Sequence, residues 1–197
     1  MGALNNLIPF GLIVWGQTHI DSGLAAILNA TTPVFTVVLA HFFTHHERLT
    51  FNRLVGTILG LCGVVVLIGP DALRGLSLTS LGQFAILGAA CSYGCAGIYG
   101  RRFRKVPPMI AAAGMLISST IMLLPLTLLV EQPLTLKPSF MTWGALMGLS
   151  LLSTAIAYMI YFHLLTKAGA INLMLVTFLI PVSSLFLGVF ILGEQLH

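Results

Sequence analysis

The sequence predicts an all-α integral membrane protein, and three observations carry that prediction. Hydrophobic residues make up 57% of the 197-residue chain and charged residues only 7%, against about 25% charged in a soluble domain. Mean hydropathy is +1.02. The apolar residues gather into long solid runs, and every charged residue lies at the boundary of such a run. A β-barrel would instead alternate polar and apolar residues in segments of about 10. The same composition excludes an ordinary water-soluble globule, a disordered tail, a disulfide scaffold and a free-standing nucleic-acid reader.

Seven runs approach the roughly 20 apolar residues that a helix needs to cross the ~30 Å hydrocarbon core. Span A (Ala3 to Thr18) is short and has Asn5 and Asn6 near its start. Span B (Gly23 to Thr44) is interrupted by Pro33, and span C (Asn52 to Ile68) sets Gly56, Gly60 and Gly63 on about one face, as for close helix approach. Span D (Gly82 to Gly100) leads into Arg101-Arg102-Phe103-Arg104-Lys105. That cluster could attract anionic lipid at about 1 kcal/mol per base, although its simplest role is holding topology. Span E (Met109 to Val130), span F (Thr142 to Leu165) and span G (Ala170 to Leu192, with Pro181 inside) complete the set. Loops are tight and nothing resembling a linker divides the chain, so one compact unit is expected.

Charge placement supports this parsing. The acids Asp21, Glu47, Asp71, Glu131 and Glu194 all fall at span boundaries, and so do the nine bases. A charge at mid-bilayer costs about 2.5–3.5 kcal/mol on insertion scales. The loops B–C, D–E and F–G hold seven bases, and the opposite side holds only Arg74 and Lys137. The positive-inside rule therefore places those three loops in the cytoplasm. No Lys or Arg precedes Arg48, so the amino end lacks the basic n-region of a signal peptide.

Metal and redox chemistry find little support. Cys91 and Cys95 stand one helical turn apart but have no third ligand, and with Cys62 they read as packing residues. His41 and His45 share a spacing suited to joint ligation, yet no carboxylate or thiol completes a set. Their place at a span end suits interfacial histidines. His163 is the in-chain candidate for proton coupling. No cofactor and no metal are expected.

Internal similarity is the most informative feature. A displacement of 148 residues lays Pro33 on Pro181, Val34 on Val182, Leu39 on Leu187 and Phe42 on Phe190, with Glu47 and Glu194 matching after a one-residue slip. The same displacement lays span A on span F, five helices further on. Five is odd, so matching helices cross in opposite directions. Inverted duplication of this kind recurs in secondary transporters. A complete pair of five-helix units would need two helices before span A and one after span G, so seven of ten transmembrane helices are expected here.

The Pro33-to-Glu47 segment, the Gly-rich span C and the Ser153-Thr154-Ala155-Ile156-Ala157-Tyr158 stretch resemble EamA-type transporters of the drug/metabolite transporter superfamily. The resemblance covers essentially the whole chain and aligns it with the third through ninth helices of a ten-helix protein. It implies that residues 1–69 are the last three helices of a first EamA repeat and that 82–197 are the first four helices of a second. It also implies a multi-pass protein of the bacterial plasma (inner) membrane that exports small metabolites, often amino acids or related compounds, by alternating access. The partners it implies are the lipid bilayer and a small-molecule substrate, with no nucleic acid; a homo-oligomer is compatible with it.

With no mid-membrane charge, a polar solute must be bound by neutral groups. Pro33 and Pro181 each remove a backbone hydrogen bond and free a carbonyl one turn earlier; the alternative is a tolerated packing kink. Asn29 and Thr32 precede the first proline, and Thr177 lies opposite Asn29 under the repeat. Asn29 either bonds the freed carbonyl or meets a substrate. Asn6 corresponds to Thr154, while Tyr93 and Tyr158 lie deep enough for a cavity wall. The substrate path is therefore assigned to Asn6, Asn29, Thr32, Pro33, Tyr93, Thr154, Tyr158, Thr177 and Pro181. Two alternatives are a membrane-embedded enzyme and a non-catalytic assembly subunit. The first lacks intramembrane acids and HExxH or GxSxG motifs. The second rests only on the helices expected to be absent.

Overall fold

A computed structural model describes residues 1–44, 50–77, 80–130 and 138–192. It is helical, with no strand among the described residues. Span A is a π-helical turn (Ala3–Leu7) continued by α1 (Ile8–Gln17), and span B is divided into α2 (Ser22–Asn29) and α3 (Thr32–Phe43). Span C is α4 (Phe51–Ile68), followed by a short 3-10 turn at Pro70–Gly75; spans D and E are α5 (Leu81–Gly100) and α6 (Pro108–Val130). Span F starts as α7 (Phe140–Gly148), passes through a π-helical stretch (Leu149–Ile156) and continues in α8 (Ala157–Met174). A 3-10 turn (Leu175–Phe178) then leads into α9 (Leu179–Leu192). Glu47, Arg48, Glu131, Lys137 and Glu194, with His45 and His46, lie outside the described residues.

Among the described residues, five helical segments are long and apolar enough to cross a bilayer: Ser22–Phe43, Phe51–Ile68, Leu81–Phe103, Pro108–Val130 and Phe140–Ser183. The sequence leads to an expectation of seven, and two physical facts account for the difference. The helical stretch from Ala3 to Gln17 rises only about 22 Å, short of a full crossing. The segment Phe140–Ser183 has 44 residues, which if straight would measure about 66 Å, twice the hydrocarbon thickness. It is broken at Gly169, where φ is 84° and ψ 174°. That backbone region is open essentially to glycine alone. The expected spans F and G lie on either side of this residue, joined without a loop.

The centre of the molecule is α5, against which α1 and α3 pack most extensively. Its buried face is made of small residues, among them Ala85, Ala89, Ala90 and Ala96. Small side chains let backbones approach where dispersion and hydrogen bonds, rather than water exclusion, must hold helices together. A Cβ placed on Gly16 of α1 would meet the Gly82 carbonyl oxygen at 3.0 Å and Ile86 Cδ1 at 2.8 Å. A Cβ on Gly94 would stand 3.2 Å from the Thr36 nitrogen of α3. The close approach expected of span C is made by one glycine of three. A Cβ on Gly60 would strike the Phe178 ring at 2.5 Å, whereas those on Gly56 and Gly63 would meet nothing within 4 Å.

The outer surface is apolar, as a lipid-facing surface must be. Leu129 of α6 and Phe140 of α7 are 80% and 93% exposed.

Gly16→Val is expected to force α1 and α5 apart and to destabilise the fold by about 1–3 kcal/mol, the usual cost of overpacking. Gly63→Val should stay within about 0.5 kcal/mol of the parent. Thermal unfolding in a mild detergent reads both, and equal losses in the two variants would contradict this account of the interface.

Candidate functional site

The site begins with the interruption of span B. Proline has no N–H, so Pro33 leaves the Asn29 carbonyl without its usual helical donor. The Thr32 hydroxyl takes that place, donating to the Asn29 carbonyl oxygen at 2.7 Å. Thr31 Oγ1 donates to the Leu28 carbonyl at 2.6 Å, and Thr36 Oγ1 to that of Thr32 at 2.8 Å. The carbonyl expected to await a solute is therefore already occupied, and Thr32, fully buried, serves the backbone. Pro33 is buried at the first turn of α3, where its missing N–H is tolerated.

The Asn29 side chain is left over. Its Oδ1 is buried and accepts no hydrogen bond. Asn29 lines a cavity of about 190 Å³ together with Ile13 and Gln17 of α1 and with Thr177, Ile180 and Pro181 of the span G interruption. Thr177 Oγ1 donates to the Met174 carbonyl at 2.9 Å. Three of the residues assigned from sequence, Asn29, Thr177 and Pro181, thus meet at one cavity between two interrupted helices.

A second polar cluster surrounds the π-helical start of the chain. Asn6, 4% exposed, donates from Nδ2 to Ser119 Oγ at 2.7 Å and accepts at Oδ1 from the Tyr158 hydroxyl at 2.7 Å. Asn6 thereby ties α6 and α8 to the start of span A. Ser119 Oγ donates in turn to the Met115 carbonyl, and Ser92 of α5 donates to the Leu4 carbonyl at 2.7 Å. The rings of Tyr158 and Tyr161 lie 6.0 Å apart in an edge-to-face arrangement, and Tyr93 approaches the same pair. Asn5 Oδ1 and the Tyr161 hydroxyl are buried without partners. Thr154 stands apart from this network, donating to the Leu149 carbonyl of its own π-helical stretch at 3.3 Å.

Ser119, Ser92 and Gln17 had not been singled out in the sequence. The available signal for Ser119 was the Ser118-Ser119-Thr120 run in the middle of an apolar span. The metal reading gains nothing: among the described residues no group of three His, Cys, Asp or Glu is placed to hold an ion.

These features define a multi-pass helical membrane protein with neutral polar groups in its interior. The chain belongs to the EamA-like transporter family, whose model matches residues 1–69 and 80–197. It is similar to the "Uncharacterized transporter YoaV" of Bacillus subtilis, 26% identical over 197 residues that cover 100% of this chain and 67% of that protein. It is 27% identical to the "Uncharacterized inner membrane transporter YedA" of Escherichia coli over 90% of this chain and 56% of that one. It is 29% identical to the "Probable amino-acid metabolite efflux pump" of the same organism, over 89% and 61%. A solved crystal structure superposes with a TM-score of 0.82 at 22% identity, covering all of this chain and 68% of the other, a likeness of fold. The chain thus spans a little over half to about two thirds of the length of these relatives. Family membership points to a transporter rather than an enzyme.

Tyr158→Phe is expected to cost about 1 kcal/mol by deleting one bond to Asn6, and Asn6→Ala more, about 1–3 kcal/mol, because it strands Tyr158 and Ser119 together. Thr154→Val should cost least. Denaturant titration in micelles gives the order, and Thr154→Val ranking first would overturn it.

Proposed function

We propose that the chain forms the core of a secondary transporter that moves small polar metabolites, such as amino acids or related compounds, across a bacterial inner membrane by alternating access, with export as its direction. The observation that carries this reading is the unpartnered Asn29 Oδ1 at the cavity between the two interrupted helices. An unbonded amide oxygen in an apolar interior costs about 1–3 kcal/mol, and a solute bearing an N–H or O–H donor removes that cost on binding. The cavity, about 190 Å³, is smaller than drug-sized sites and suits a compact solute. Asn29, Thr177 and Pro181 form this station, and Asn6, Tyr93 and Tyr158 form a second polar station on the path. Thr32, Pro33 and Thr154 shape the backbone beside them.

The proposal includes the inverted repeat. Displaced by 148 residues, the π-helical Ala3–Leu7 falls within the π-helical Leu149–Ile156. The break after Asn29 falls at the end of the 3-10 turn Leu175–Phe178. Irregular backbone at membrane depth is found where it is enclosed by protein or lines a cavity, and its recurrence at matching places supports duplication. Residues 1–69 are then the last three helices of one unit and 82–197 the first four of the next, consistent with the two matched blocks. Loops B–C, D–E and F–G face the cytoplasm in this arrangement. The relative named as an amino-acid metabolite efflux pump supports the substrate class and the direction. The reading as a non-catalytic assembly subunit is separated from it by the transport assay.

Counterflow of radiolabelled amino acids is measured in proteoliposomes containing the longest chain that the reading frame encodes. Asn29→Ala should lower counterflow at least tenfold and Thr177→Val several-fold, with membrane insertion unchanged. Full counterflow in both variants at matched insertion would refute the proposed path. For topology, a cysteine replacing Arg104 should be labelled only from the cytoplasm and one replacing Asp71 only from outside; labelling of both from one side would refute the orientation.

A further inference from the structure

We propose that the cytoplasmic ends of α3 and α5 form a binding site for an anionic phospholipid, with its phosphate held by Arg102 and Arg104 and one acyl chain laid along an apolar groove. A cavity of about 610 Å³ opens there, and its floor is set by Leu4, Leu39, Phe43 and Ile98, from the π-helical start of span A, α3 and α5. Arg101, Arg102 and Arg104 line its rim beyond the end of α5, carried by the tight 3-10 turn Arg101–Phe103.

Two further observations fix the chemistry of the occupant. Arg102 lies over the Tyr99 ring, with Cζ 5.1 Å from the ring centre, and Arg104 donates to the Thr166 carbonyl at 3.4 Å. Both contacts orient a guanidinium and neither cancels its charge. The two carboxylates among the described residues, Asp21 and Asp71, sit at the opposite ends of the helices. The loops on this side hold seven bases against one acid, Glu47, so this end of the molecule is positive, and guanidinium groups bind phosphate oxygens in a bidentate manner. A free phosphate would use the rim and leave the floor bare. An amphiphile with an anionic head uses both, and the groove lies where such molecules are abundant, at the interface of the cytoplasmic leaflet.

The test uses the longest chain that the reading frame encodes, in nanodiscs of phosphatidylglycerol and phosphatidylcholine in which one lipid at a time carries a photoreactive diazirine on its acyl chain. Labelled phosphatidylglycerol should crosslink to peptides containing Phe43 or Ile98 at least fivefold more than labelled phosphatidylcholine. The Arg102→Gln/Arg104→Gln double variant should abolish that preference, and Arg53→Gln should keep it. Circular dichroism of each variant confirms an unchanged helical content. Equal crosslinking of the two lipids, or a preference untouched by the double variant, would overturn the proposal. So would crosslinks between two copies of the chain in place of lipid adducts, or loss of the preference on adding inorganic phosphate at constant ionic strength, which would assign the arginines to a free anion.

Discussion

Everything in this structure answers to one constraint: inside a bilayer, a backbone carbonyl or amide left without a partner has no water to turn to. Straight helices meet the constraint automatically, so each departure from a straight helix must be repaired on the spot. At Pro33 the repair is the Thr32 hydroxyl on the Asn29 carbonyl. At the start of span A it is Ser92 on the Leu4 carbonyl. The hydroxyls of Thr31, Thr36 and Thr177 do the same for their own turns. Most intramembrane Ser and Thr are thereby spent on the backbone. Among the described residues, the buried side-chain groups that stay unspent are Asn5 Oδ1, Asn29 Oδ1 and the Tyr161 hydroxyl.

The second determinant is the thinness of α5. A helix faced with alanine and glycine accepts two partners at short distance, so α1 and α3 both reach it. That proximity brings Asn6, Ser92 and Tyr93 into one neighbourhood. It also brings the ends of α3 and α5 near Phe43 and Ile98 closely enough to enclose a groove between them. Bulkier residues on α5 would have separated these helices and dissolved both arrangements at once.

The all-helical membrane class and the placement of charge were legible in the sequence because composition and run length depend on no tertiary contact. The internal displacement sets Asn29 against Thr177 beside Pro181, and these three line one cavity; the bond of Tyr158 to Asn6 follows from no spacing, since the displacement sets Asn6 against Thr154 instead. Other features were hidden for identifiable reasons. The fate of the Asn29 carbonyl depended on the rotamer of its neighbour Thr32, which no spacing reveals. The glycines that matter for packing sit on α1 and α5 rather than mainly on α4, because the small-residue pattern cannot say which face a partner occupies. The count of spans suffered where length alone misleads: span A is short, and spans F and G run into each other.

That last junction has a mechanical side. Within α8 the one residue with non-helical dihedrals is Gly169, and the 3-10 turn Leu175–Phe178 follows without a loop. A joint of one rotatable residue passes force along the chain while leaving the tilt of each rod free. A tilt of the stretch bearing Thr177 and Pro181 is then taken up at that one joint. That glycine is in this way a universal joint in the chain, with Tyr158 on one side of it and Thr177 on the other.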